Sequence, residues 1–462
     1  MNPHALQEWI ADLAEAFAVP GVAAGVWHAG KVSFACHGVT SIENPLPVDE
    51  RTLFQAGSIG KTLTATAVVR LAESGHVELN APVRRYVPEL RLADSAATVQ
   101  VTLLQLLNHT AGWEGDFFPD TGEGDDALAR FVARMDELEQ LTPPGTAFSY
   151  NNAAFCLAGR VIEHVTGDTY ETAIRRLILQ PLGLCESFFF PNEVMTRRFA
   201  VGHKPSADSS LQVARPWALP RNGAAAGGLA TCIGDLLAWA RFHLGDGRGA
   251  DGTRVLSTAG LQTLREPTVC MPGSAFGDAL GIGWFLGDIG GVRRVGHDGS
   301  TNGQEASLWL LPEHDWALAL LTNASPGGLG LNPVVRQRVL AACTGIVEET
   351  PLPVSAACEV LTPYEGLYGG RGMRCRVTLG EAGDLLFTLH NDPDMLAQMF
   401  EQDEAPSPQP TTLHAKLVSG HVDRYVFVDG PLPGVTGYFV RDGHGHAQAL
   451  HLFGRRLPLR EL

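Results

Sequence analysis

The run Lys61-Thr-Leu-Thr-Ala-Thr-Ala-Val-Val-Arg-Leu-Ala-Glu-Ser74 constrains the fold most, because it reads as an α-helix that is apolar nearly all round and stops at a glycine cap, Gly75. Such a helix has no solvent face, so it must lie inside a body built by the rest of the chain. Ser58 opens it, placing a hydroxyl at a helix N-terminus, where amide N–H groups and the positive dipole end favour developing negative charge. Residues i and i+3 share a helix face, so Lys61 reaches the Ser58 hydroxyl. With four lysines and eighteen serines in 462 residues, chance supplies roughly 0.16 such pairs.

The covering body is legible at both ends of the chain. Residues 6–17 form an amphipathic helix, and 21–28 and 31–37 flank Ala29-Gly30 as two strands of a hairpin. Three more strand-like runs, Val292–His297, Ala306–Leu311 and Trp316–Thr322, come some 250 residues later, followed by a helical pattern over Pro333–Ala342. The simplest assembly is one antiparallel sheet built from both ends and covered by helices. Residues 346–358 are polar, carry proline and lack periodicity, which marks a linker. Beyond it, Val377–Leu379, Leu385–Leu389, Val422–Val428, Val435–Val440 and Ala449–Phe453 are short alternating runs, the pattern of a small barrel or sandwich. Residues 391–410, rich in Asp, Glu and Pro, read as a mobile loop. The expected domains are therefore 1–345 and 359–462, joined by 346–358.

A formal net charge of −16 disfavours nucleic acid and anionic membranes as partners. Acids at Glu8, Asp12 and Glu15 interrupt any signal-peptide core, and no apolar run approaches 18 residues. Eight singly scattered cysteines lack C-x-x-C spacing and are read mostly as buried thiols, which with the missing export signal points to the cytoplasm. His444, His446 and His451 lack a third ligand at defined geometry, and the acidic stretch 120–126 lacks EF-hand spacing. No metal and no cofactor is expected.

Two further stretches carry chemistry. Phe148-Ser-Tyr-Asn-Asn152 is a loop feeding a helix over Ala153–Thr166. A phenol titrates near pH 10, so Tyr150 acts as a base only if a cation such as Lys61 stabilises its phenolate. Gly296-His-Asp-Gly-Ser300 lies on an expected strand, where Gly299 lets a substrate approach the backbone.

The order S-x-x-K, Y-x-N and H-x-G, with Leu106-Leu-Asn-His-Thr-Ala-Gly112 and Gly227-Gly-Leu229 between them, resembles the serine β-lactamase and penicillin-binding-protein superfamily in its class C-like branch. The resemblance covers residues 1–345. It implies an α+β fold, a β-lactamase/DD-peptidase-like antiparallel sheet flanked by helices with a helical subdomain, and an acyl-enzyme mechanism in the cleft between them. In that scheme Ser58 is the nucleophile, and Lys61 with Tyr150 shuttles its proton. Asn152 orients the substrate amide or the lysine, and the backbone N–H groups of Ser58 and Ser300 form the oxyanion hole. His297, Asp298, Gly299 and Ser300 line the substrate side. His297 stands where lactamases carry lysine, and Asp298 where they carry a hydroxyl residue, so a cleft-facing carboxylate there would repel β-lactams. The opening Tyr364-Glu-Gly-Leu-Tyr-Gly-Gly370 resembles that of the lipocalin-like barrel appended to such hydrolases.

These features imply a serine hydrolase of ester or amide bonds, with D-amino-acid peptides or amides as one substrate class and a homo-oligomer as one possible state. β-Lactamase or DD-carboxypeptidase activity is the alternative within the fold. A non-catalytic member that binds a ligand or a protein is the alternative outside catalysis.

Overall fold

The computed structural model describes residues 3–206, 208–370, 372–391, 410–430 and 432–460. An eight-stranded sheet draws strands from both ends of the first 345 residues. After helix α1 (Pro3–Ala16) come β1 (Gly21–His28) and β2 (Lys31–Gly38). The buried helix follows as α2 (Gly60–Glu73), then α3 (Asn152–Thr166) and α4 (Ile233–Leu244). The sheet is completed by β3 (Val269–Ser274), β4 (Gly277–Leu280), β5 (Phe285–Ile289), β6 (Val292–Thr301), β7 (Gln304–Leu311) and β8 (Trp316–Thr322), and α5 (Gly327–Thr344) closes the unit. The strand order is β2-β1-β8-β7-β6-β5-β4-β3, so the pairing of β1 with β8 joins the two ends of the unit.

Both faces of this sheet are covered, which explains why β8 is apolar from Trp316 to Leu321 rather than alternating. Val22, Ala24, Leu318 and Leu320 pack with Leu6 and Ile10 of α1 and Val335 and Val339 of α5. Their neighbours Ala23, Ala319 and Leu321 face the other way, into a core with Ile59, Leu63 and Val68 of the α2 region and Leu237 of α4. Eleven of the fourteen α2 residues are buried, Lys61 among them. Helix α3 is capped by Asn151, whose side chain accepts the Ala154 N–H, and ends at Gly167 with φ +72°. Strands β3–β5 were not expected.

The C-terminal unit is a closed antiparallel barrel of eight strands. These are β9 (Gly366–Gly369), β10 (Met373–Leu379), β11 (Leu385–Asn391), β12 (Thr411–Val418), β13 (Arg424–Phe427), β14 (Thr436–Arg441), β15 (Ala447–Leu452) and β16 (Arg455–Arg460). Each pairs with its neighbour, β9 pairs β16, and β12 pairs β13 to close the ring. Its core is aromatic, with Tyr368, Phe387, Tyr425 and Phe439 in contact. The loop expected over 391–410 lies almost entirely outside the described residues. Within the expected linker, Pro353–Val354 pairs with the barrel's β12, and we propose the division at 345 and 359 as the domain boundaries.

All eight cysteines are free. Three are buried, two half-buried and three (Cys185, Cys270, Cys358) exposed, so the expectation that most are buried does not hold. Among the described residues no helix is long and apolar enough to cross a membrane, and no group of three or more His, Cys, Asp or Glu is placed to hold a metal ion.

Candidate active site

Ser58 sits in a short 3-10 turn, Gly57–Ile59, that runs directly into α2. Strand β6 passes against this turn with no side chain between the two backbones. A Cβ on Gly299 would collide with the Ala56 carbonyl and stand 3.0 Å from the Ser58 nitrogen, and one on Gly57, where φ is +51°, would stand 2.8 Å from the Ser300 nitrogen. Two glycines thus permit the approach that sets the Ser58 and Ser300 amides side by side.

Lys61 is fully buried. Its Nζ donates to Ser58 Oγ at 3.0 Å, to Asn152 Oδ1 at 2.8 Å and to the Ala226 carbonyl at 2.6 Å. Burial pulls its pKa down to about 7, opposed by Cys156 and Asp116 and assisted by the Arg455 cation. The Tyr150 ring lies 4.9 Å from Nζ, and its hydroxyl is hydrogen-bonded with Ser58. Burial pushes the Tyr150 pKa well above its ordinary value despite the Ser58 hydrogen bond and the nearby Arg455. The phenol therefore stays protonated, and a resident phenolate is not what this pocket stabilises.

His297 reaches the cleft from β6, its ring 4.9 Å from Phe285 and 6.2 Å from Tyr150. Its Nδ1 donates to the Asp298 carbonyl at 2.6 Å, which leaves Nε2 as the acceptor, buried and without a partner. Burial first, and Lys61 second, lower its pKa to about 3, so the imidazole is neutral. His109, read from the sequence as structural, accepts the Asn151 N–H at 2.9 Å and packs 4.3 Å from the Tyr150 ring.

Asp298 is a correction. Successive strand residues alternate faces, and with His297 toward the cleft the Asp298 carboxylate points to the opposite side. There it accepts from Ser307 Oγ at 2.6 Å and faces Arg336 of α5 at 3.6 Å. The expected repulsion of substrate carboxylates by this residue does not arise. The Ser300 side chain also turns away, donating to Glu305 Oε1 at 2.9 Å, so Ser300 offers the cleft only its amide.

Two residues of the site had not been anticipated. Asp116 Oδ1 accepts from Asn152 Nδ2 at 2.9 Å. Arg455, the first residue of β16 in the barrel, grips the same carboxylate through Nε at 2.9 Å and Nη2 at 3.1 Å, with its guanidinium 4.9 Å from the Tyr150 ring. Around it the β15–β16 turn docks on the catalytic loop. The Gly454 carbonyl accepts the Tyr150 N–H at 2.8 Å, and His451 Nε2 donates to the Phe148 carbonyl at 2.9 Å. The only sequence signal was Phe453-Gly-Arg455, a turn after an alternating run; nothing local says that this turn enters a cleft.

Residues 6–340 match the Beta-lactamase family model. The chain belongs to the β-lactamase family. It is a serine hydrolase of that family, with the fold its motifs implied. Penicillin-binding protein 4 of Amycolatopsis lactamdurans is 37% identical over 308 residues, covering 66% of this chain and 81% of that protein. Among solved structures, SurE is similar over 99% of both chains, with a TM-score of 0.73 and 28% identity, and it has also been solved with D-Leu at a TM-score of 0.72. A class C β-lactamase shares the fold at a TM-score of 0.62 and 21% identity, over 73% of this chain and 96% of that one.

Proposed function

We propose that this β-lactamase-family enzyme hydrolyses ester or amide bonds through a Ser58 acyl-enzyme, and that its acyl substrates are peptides or amides containing a D-amino acid. The observation that carries the catalytic part is the set of partners around Lys61. Two of them, the Asn152 and Ala226 oxygens, can only accept. When the amine is neutral, its lone pair is left facing Ser58 Oγ, the one partner with a proton to give. The proton passes from Oγ to Nζ as Oγ attacks the carbonyl carbon, and the Ser58 and Ser300 amides receive the oxyanion. Tyr150, protonated and bonded to Ser58, hands a proton to the leaving group and recovers one from Lys61. Water then cleaves the acyl-enzyme by the reverse relay.

The substrate class is supported by the neutral His297, whose buried Nε2 accepts a hydrogen bond from a substrate N–H and offers a carboxylate no charge, and by the D-Leu solved with the similar SurE. A fluorophosphonate probe is expected to label the wild type and not Ser58→Ala. p-Nitrophenyl esters of N-acetyl-D-leucine are expected to turn over faster than the L-enantiomer. Equal labelling of Ser58→Ala rejects the mechanism, and an L preference rejects the substrate class. The outward-facing Asp298 removes one objection to β-lactams, so β-lactam hydrolysis stands as a second reading; nitrocefin turnover matching that of the D-leucyl ester would establish it.

A further inference from the structure

The Asn152 amide has two unlike ends. Its NH2 group meets Asp116 Oδ1 and its Oδ1 meets the Lys61 ammonium. A flipped amide would press NH2 against the lysine N–H groups and oxygen against the carboxylate, two repulsive contacts in place of two hydrogen bonds. An ionised Asp116 accepts only, so it decides which end of Asn152 faces Lys61. A protonated Asp116 could donate instead, and the amide would lose that instruction. Arg455 keeps the carboxylate ionised. Burial alone would drive the Asp116 proton on, but the guanidinium and its two hydrogen bonds reverse the shift and hold the pKa below the ordinary carboxylate value. Arg455 is itself anchored by donating Nη1 to the Phe453 carbonyl at 2.8 Å.

We infer that Arg455, delivered by the C-terminal barrel, is a positioning residue for the proton relay, locking the Asn152 amide through the Asp116 carboxylate in the one orientation that presents an acceptor to Lys61. The inference rests on the Ser58 acyl-enzyme reading above. It makes the catalytic unit incomplete without the barrel, because the chain Arg455–Asp116–Asn152–Lys61–Ser58 is hydrogen-bonded from end to end.

The test uses p-nitrophenyl acetate, an uncharged ester with nothing for a guanidinium to bind as a carboxylate. Arg455→Ala and Asp116→Asn in the full chain are expected to lower kcat by on the order of 10–100-fold with KM little changed, and Arg455→Lys to recover part of the loss. The charged and titratable groups around Lys61 are Asp116, Arg455, Tyr150, Cys156, His109 and His297. Of these Arg455 is a repelling cation, so the midpoint of the acidic limb of kcat/KM moves to higher pH in Arg455→Ala, which a merely structural contact would not cause. The double variant is expected to lose no more than the worse single one. Unchanged kcat with an unchanged midpoint in Arg455→Ala overturns the inference, as does a fully additive double variant. If Arg455→Ala does not fold, full activity in Asp116→Asn overturns it equally. Failure of the acyl-enzyme reading has a different signature, a wild type that the fluorophosphonate does not label.

Discussion

Lys61 carries no acid within hydrogen-bond reach, and its three partners are a hydroxyl, an amide and a carbonyl. Burial without a counter-ion is what brings its pKa to about 7, so half of the enzyme holds the base form near neutrality. With a neutral ester, kcat/KM is expected to climb with pH through about 7 and level off above, because the neutral amine is the active form. Lys61→Arg keeps the charge and cannot give up a proton; it is expected to lose roughly 10²–10⁴-fold in kcat/KM, and a flat pH profile for the wild type would remove Lys61 as base. At this scale Ser58, Lys61, Tyr150 and Asn152 were legible because their chemistry is written locally, as spacings on a helix or a loop. Asp116 was not, since an aspartate in a loop carries no mark of the amide it will orient.

Strand β6 serves two faces at once, and the alternation of its residues divides the labour. His297 and Gly299 look into the cleft, while Asp298 and Ser300 look toward α5. Beneath Ser300, Glu305 of β7 is buried, and burial lifts its pKa to about 8 against the hydrogen bonds of Ser325 and Ser300 that lower it. The raised value has a definite sign for stability. Between about pH 4.5 and 8 the unfolded chain has released this proton and the native state still holds it, so stability falls as pH rises through that window and is flat on either side. Glu305→Gln keeps an acceptor for Ser300 and removes the penalty. It is expected to melt several degrees above the wild type at pH 9 and near it at pH 4.5, by scanning calorimetry; equal melting points at both would show that Glu305 ionises normally. Strands β7 and β8 were legible from sequence because two covered faces demand continuous apolar runs. Strands β3–β5 were hidden, because Pro272, Gly273, Gly277, Asp278, Gly287 and Asp288 break the pattern and tertiary pairing alone holds them extended.

On the scale of the whole molecule, the barrel reaches the cleft, among the described residues, through the β15–β16 turn. The eight-stranded unit was legible from five alternating runs, yet its docking was not, since the contacting residues lie some 300 positions from their partners. Gly454 stands at the tip of that turn with φ +78°, and a Cβ there would run into the Phe276 ring. Its carbonyl receives the Tyr150 N–H, and the next residue is Arg455. Gly454→Ala therefore imposes a left-handed conformation on an L-residue, at about 1–2 kcal/mol, and wedges the turn out of the cleft as well. Gly443, in the β14–β15 turn, has open space where its Cβ would go and serves as the matched change away from the cleft. Gly454→Ala is expected to lower both the melting temperature and the rate of fluorophosphonate labelling, whereas Gly443→Ala leaves labelling unchanged. If Gly454→Ala destabilised the protein while Ser58 kept its full reactivity, the barrel would be a passenger on a self-sufficient hydrolase, and the relay would end at Asp116.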